Sequence, residues 1–112
     1  MNVYDYAHSL ARAIGHSSEH REYRAALKKL EADKSSHEML LDFRREQLEL
    51  EKAILTGEEP GGREQKLQKM FEVIRLNSLV SDFLAAEYRF ARMMEDIQKI
   101  LAEAISPEKS NQ

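Results

Sequence analysis

The sequence predicts an all-α fold: an elongated helical bundle of about five segments, its long C-terminal helices forming an antiparallel hairpin with oligomeric packing. Three observations predict it. Apolar residues recur at three- and four-residue spacing along nearly the whole chain, the period of helices with one oily face. Residues that favour pleated sheets are scarce, with three Val and one Thr in 112 residues. The chain is 33% charged and 42% hydrophobic, a balance typical of long helices. Its length fits one domain, residues 1–105, followed by a disordered tail over 106–112.

The first helix is expected from about Val3 to Ile14, with Asn2 as N-cap and Asp5 at the third helical position. Val3, Tyr6, Ala7, Leu10 and Ile14 form its apolar stripe, and Gly15 is expected to end it in a left-handed conformation. A second helix opens at Ser17 or Ser18, where a hydroxyl can accept a free backbone N–H and Glu19 suits the positive helix end. Tyr23, Ala26, Leu27 and Leu30 line one of its faces, and the pattern fades near Asp33 and Lys34.

Ser35 and Glu38 have capping-box spacing, which places the third helix from Ser35 to about Thr56, with Gly57 ending it. Leu41, Leu48 and Leu55 repeat every seven residues, while Phe43, Leu50 and Ile54 form an offset seam. Two seams call for neighbours on two sides. The segment TGEEPGG (56–62) holds three of the four glycines and one of the two prolines, so it reads as a loop that reverses the chain into a helical hairpin.

From Arg63 to Ile105 helical periodicity is almost continuous. Leu67, Met70, Phe71 and Ile74 make one stripe; Val80, Phe83, Glu87, Phe90, Met94, Ile97, Leu101 and Ala104 make another. The two are out of phase across Asn77 and Ser78, which marks a kink or a break with Asn77 as cap. Pro107 closes the last helix.

Chemistry is harder to find. The absence of Cys removes disulfides, thiolate metal sites, iron–sulfur ligation and cysteine catalysis. His16 and His20 have i, i+4 spacing, but Gly15 and Ser17 put His16 outside the second helix and no third ligand follows. Asp5 and His8 form a single carboxylate-x-x-His pair, where di-iron bundles use two with further Glu ligands. Ser adjoins His at three places, yet adjacency makes no triad without a base and a third orienting group. The glycines of TGEEPGG lack a following Lys-Ser or Lys-Thr and sit beside Glu58 and Glu59, so they do not cradle phosphate. No catalytic residue, cofactor site or metal site is therefore assigned, and the chain is read as a non-enzyme.

Net charge is −3 with both signs mixed throughout. Arg63, Lys66, Lys69 and Arg75, or Arg89 and Arg92, are the nearest approach to a basic patch, and acidic neighbours interrupt them. The N-terminus carries no basic stretch followed by an apolar one, and the longest apolar run, Phe83 to Ala86, cannot span a bilayer. A cytoplasmic location without membrane contact is expected.

Size supplies the functional clue. A compact chain of this length is about 34 Å across. A helix from Ser78 to Ile105 is about 42 Å long, and its seam stays apolar nearly to the end. The first two helices are too short to cover it together with both seams of the third. A surplus of several hundred Å² of apolar surface marks an interaction site, and a homo-oligomer, in its simplest form a dimer, hides it. Leu48, Leu55, Phe83, Phe90, Met94, Ile97 and Leu101 are the candidate interface residues.

The segments FRREQLELEKAILTGEEP (43–60) and NSLVSDFLAAEYRFARMMEDIQKILAEAI (77–105) resemble the YlbF/YmcA family of small bacterial helical proteins, and within it the YheA-like branch. The likeness covers roughly Asn2 to Ile105 and rests on a pattern: Phe-Arg, Gln-Leu-Glu-Leu, a Gly turn, and Asn before the last helix. It implies an all-α, self-associating cytoplasmic protein of Gram-positive bacteria. It also implies a non-enzymatic part in a regulatory complex that affects competence, biofilm formation, sporulation and RNA processing. Some family members bind iron–sulfur clusters through cysteines; this chain has none, so that property does not carry over. The expected function is a regulatory adaptor that binds itself and an unidentified protein partner. The alternative is a nucleic-acid-associated accessory factor in RNA processing.

Overall fold

A computed structural model describes residues Met1 to Pro107. The expected tail at 106–112 falls, from Glu108 onward, outside the described residues. Among the described residues the fold is all-α, with five helices: α1 (Val3–His16), α2 (Ser18–Ala32), α3 (Lys34–Leu55), α4 (Arg63–Ile74) and α5 (Ser78–Ile105).

Each boundary has a local cause. Asn2 accepts the Asp5 N–H at 3.1 Å while its own N–H donates to the Asp5 carboxylate at 3.1 Å, so a complete capping box opens α1. Gly15 does not end that helix. It stays helical, and α1 continues to His16. Ser17, in extended conformation, separates α1 from α2 unaided: its hydroxyl donates to the Ile14 carbonyl at 2.6 Å and accepts the His20 N–H at 3.1 Å. One side chain thus satisfies groups at both helix ends, which a glycine has no atoms to do.

The start of α3 differs from expectation for a similar reason. Asp33, not Ser35, is the N-cap, and its carboxylate accepts the Ser36 N–H at 3.0 Å. A charged acceptor at the positive end of a helix outcompetes a neutral hydroxyl two residues on. The end of α3 follows the sequence reading. Gly57 has φ of 76°, its N–H donates to the Ile54 carbonyl, and the Glu58 N–H donates to the Ala53 carbonyl. These two bonds form a Schellman close, and the left-handed backbone is why glycine stands there.

At Asn77 the helix breaks. The Asn77 N–H donates to the Ile74 carbonyl at 2.9 Å, and the Asn77 side-chain oxygen accepts the Val80 N–H at 3.1 Å. The residue therefore finishes one helix turn and caps the next.

The chain divides into two compact units: Met1–Ala25 with Ala85–Gln112, and Ala26–Leu84. The second holds nearly all of the core. Leu30, Leu40, Ala53, Ile74, Val80 and Phe83 are buried there. α4 lies against α3, with the Phe43 and Phe71 rings 6.2 Å apart and Lys66 paired to Glu46 at 2.9 Å. The Arg44 guanidinium stands 5.7 Å over the Phe83 ring. Ser36 is the one buried polar residue among those described, and its hydroxyl accepts from the Asn77 amide at 2.8 Å. In the first unit, Ala86 alone is buried among the described residues.

Candidate interaction surface

The apolar seam of α5 loses its cover progressively toward the C-terminus. Phe83 and Ala86 are each 2% exposed; Phe90, Met94 and Ile97 are half-buried; Leu101 is 53% and Ile105 82% exposed. Phe90 takes its cover from α2. Phe90 stacks on Tyr23, centroids 5.3 Å apart and planes 21° from parallel, and meets the His20 ring at the same separation. Glu22 and Arg89 flank the stack at 3.4 Å, an exposed pair that orients more than it stabilises.

α1 has no buried residue at all. Its stripe is half-buried only at Leu10 and Ile14, while Val3 and Tyr6 face solvent. An amphipathic helix with an unfilled apolar face lacks the burial that normally holds such a helix in place. The α1 stripe, expected to help cover other helices, itself lacks cover, a distinction that periodicity cannot draw.

The predicted interface residues therefore fall into three groups. Phe90, Met94, Ile97 and Leu101 lie on the thinning seam of α5 in the first unit. Leu48 and Leu55 are exposed on α3 in the second, on the ridge with Leu41. Phe83 is enclosed by its own chain. Of the seams read on α3, Phe43 and Leu50 are half-buried and Ile54 is exposed; the buried positions are Ser36, Leu40 and Ala53.

Basic residues stand among acids. Lys66 pairs with Glu46 in a crevice that also contains Glu49 and Arg63. Arg92 donates to the Tyr88 hydroxyl at 3.3 Å; that hydrogen bond and the electrostatic effect of Tyr88 first, then the charges of Asp96 and Glu95, raise its pKa above the ordinary value. Among the described residues, no group of three His, Asp or Glu could hold a metal, and no buried side-chain N or O lacks a partner. No described helix is long and apolar enough to cross a membrane.

Comparison with known proteins places these features in context. A family model described as "Control of competence regulator ComK, YlbF/YmcA" matches residues 3–106. A UPF0342 protein of Clostridium tetani is 40% identical over 111 residues, covering 98% of this chain and 96% of the relative. Another, from Caldicellulosiruptor saccharolyticus, is 39% identical over 105 residues, covering 93% and 88%. A third, from Symbiobacterium thermophilum, is 36% identical over 105 residues, covering 92% and 93%.

Proposed function

The chain belongs to the YlbF/YmcA family of competence-control regulators, consistent with its YheA-like branch, and on that premise we propose that it acts as a helical adaptor. Its work is to bind a second copy of itself and a protein partner within a regulatory complex. The family is regulatory and non-enzymatic. The observation that carries the reading is the apolar seam of α5, whose exposure rises from Ala86 to Ile105. Water penalises exposed apolar surface by about 25 cal/mol per Å², so a partner that removes it from solvent is favoured. Residues 1–105 serve as one functional domain under this reading, and the cytoplasm is its place, the compartment that the resemblance implies.

Leu48, Leu55, Phe90, Met94, Ile97 and Leu101 are the surface candidates; Phe83 already has its neighbours. A nucleic-acid role has less support, because Lys66 and Arg89 are each paired to a carboxylate. Affinity purification of the tagged chain from its own cytoplasm, at native abundance and after nuclease treatment, tests the proposal. A stoichiometric protein partner that survives raised salt is the expected result. Recovery of nucleic acid, lost steeply as salt rises, or repeated failure to recover any protein overturns it.

A further inference from the structure

We propose that α4 is a strap over α3, held shut by a latch at Asn77. On release of the latch, residues 75–80 turn helical, so that α4 runs on into α5 as one helix and leaves α3.

Nothing in the covalent chain imposes the break. Sharp interruptions of a helix ordinarily mark Pro or Gly, and neither occurs from Arg63 to Ser106. Arg75 is still helical, with φ of −65° and ψ of −16°, and its N–H makes the ordinary helical bond to the Phe71 carbonyl at 3.0 Å. Beyond it the backbone tightens. The Leu76 and Asn77 N–H groups donate three residues back, to the Val73 carbonyl at 3.1 Å and the Ile74 carbonyl at 2.9 Å. Side chains then take up backbone groups that the helix gives up. The Asn77 side-chain oxygen accepts the Val80 N–H, and the Ser81 hydroxyl donates to the Arg75 carbonyl at 3.1 Å. A helix drawn straight through would satisfy the same backbone groups with four-residue bonds. The break is therefore a contest between caps and helix, and the bond from the Asn77 amide to Ser36 ties its outcome to α3.

The two arrangements exclude each other. Ile74 and Phe83 are nine positions apart, about 180° around a continuous helix, yet both are buried in the second unit. Only a broken helix turns both inward, so the choice is between two discrete states. Straightening withdraws the weaker hold. The start of α5 is fixed by Val80 and Phe83, both buried, whereas Ile74 is the one buried residue of α4. Phe71 and Val73 are exposed, and Lys66 pairs with Glu46 near the surface. At its other end α4 joins α3 through residues 56–62, where Gly57 and Gly61 hold positive φ; glycine absorbs large backbone rotations at low cost. Closed, α4 lies along the Phe43 and Glu46 side of α3. Open, it frees that side. The strap sets access to a face of α3, and the inference stands apart from the adaptor reading.

Backbone NMR of the native chain, Asn77→Leu, Asn77→Ser and Ser36→Ala tests it. Native chain and Asn77→Ser, which keeps a capping oxygen, should show non-helical Cα shifts at Leu76 and Asn77 and NOEs between the Phe43 and Phe71 rings. Asn77→Leu removes the cap and the tie to Ser36, and should raise the open population roughly tenfold or more. Its Cα shifts should be helical through residues 75–80, and the ring NOEs should weaken in proportion. Non-helical shifts with the ring NOEs intact overturn the proposal, and so do coil shifts along α4. Should Asn77→Leu unfold throughout, saturation-transfer exchange in Ser36→Ala decides. A minor state with helical Cα shifts at residues 75–80 is expected there, and a coil-like minor state or none overturns the strap.

Discussion

Replacing Asn77 with Ala should unsettle the second unit far more than its small loss of apolar contact implies. The side chain does two jobs. Its oxygen accepts the Val80 N–H at the start of α5, and its amide donates to the Ser36 hydroxyl on α3 at 2.8 Å. Losing an N-cap acceptor costs about 1 kcal/mol. Leaving the Ser36 oxygen without this donor costs about 1–2 kcal/mol more, because Ser36 is 4% exposed and water cannot readily take over. Asn77→Ala should therefore lose about 2–3 kcal/mol. Asn77→Ser, which keeps a capping oxygen but is too short to reach Ser36, should lose about 1–2 kcal/mol. Ser36→Ala should lose about 1 kcal/mol, since the half-buried Asn77 amide can turn to water. Urea unfolding followed by circular dichroism, at one fixed protein concentration, measures all three along with the double variant. A pair in contact should show coupling of about 1 kcal/mol. Strict additivity, or a loss below about 0.5 kcal/mol for Asn77→Ala, refutes the latch.

Two glycines should respond with opposite signs. Gly57 holds φ of 76°, so Gly57→Ala should cost about 1 kcal/mol in backbone strain although its new methyl meets no atom within 4 Å. Gly15 is helical with open space around it, and Gly15→Ala should raise stability by about 0.5–1 kcal/mol in the same assay; a loss would restore the left-handed stop expected from sequence. Leu30→Ala should cost about 2–5 kcal/mol by opening a cavity where the side chain is fully enclosed. Leu55→Ala, on an 85% exposed side chain, should stay within about 0.5 kcal/mol at concentrations where the chain is monomeric, and equal losses at both sites would contradict the burial pattern. Phe90→Ala should cost about 1–3 kcal/mol and disperse the ring-current shifts of the Tyr23 and His20 protons; unchanged shifts would rule out the stack.

Helix content and the places where helices stop were legible in the residues, because both depend on neighbours a few positions away. Asn2 with Asp5, the glycines after Thr56 and the polar break at Asn77 each act within one turn of chain, and each stands where periodicity put it. Even here competition blurred the detail. Ser17 displaced Gly15 because its hydroxyl bonds both helix ends, and Asp33 displaced Ser35 because two oxygen acceptors two residues apart differ in strength and not in kind.

Burial was another matter. Leu40 and Leu41 are chemically identical and adjacent, yet the first is 3% exposed and the second lies on an open ridge. A single sequence shows that α3 has more than one apolar stripe; it cannot show which one meets α4. Nor does any pattern mark Ser36, an ordinary serine in a first helical turn, as the buried partner of a residue 41 positions away. The helical period fixes which side chains share a face, since that geometry is built into 3.6 residues per turn. Which faces find cover depends on distant segments arriving together. That is why the bare stripe of α1 became visible only in three dimensions.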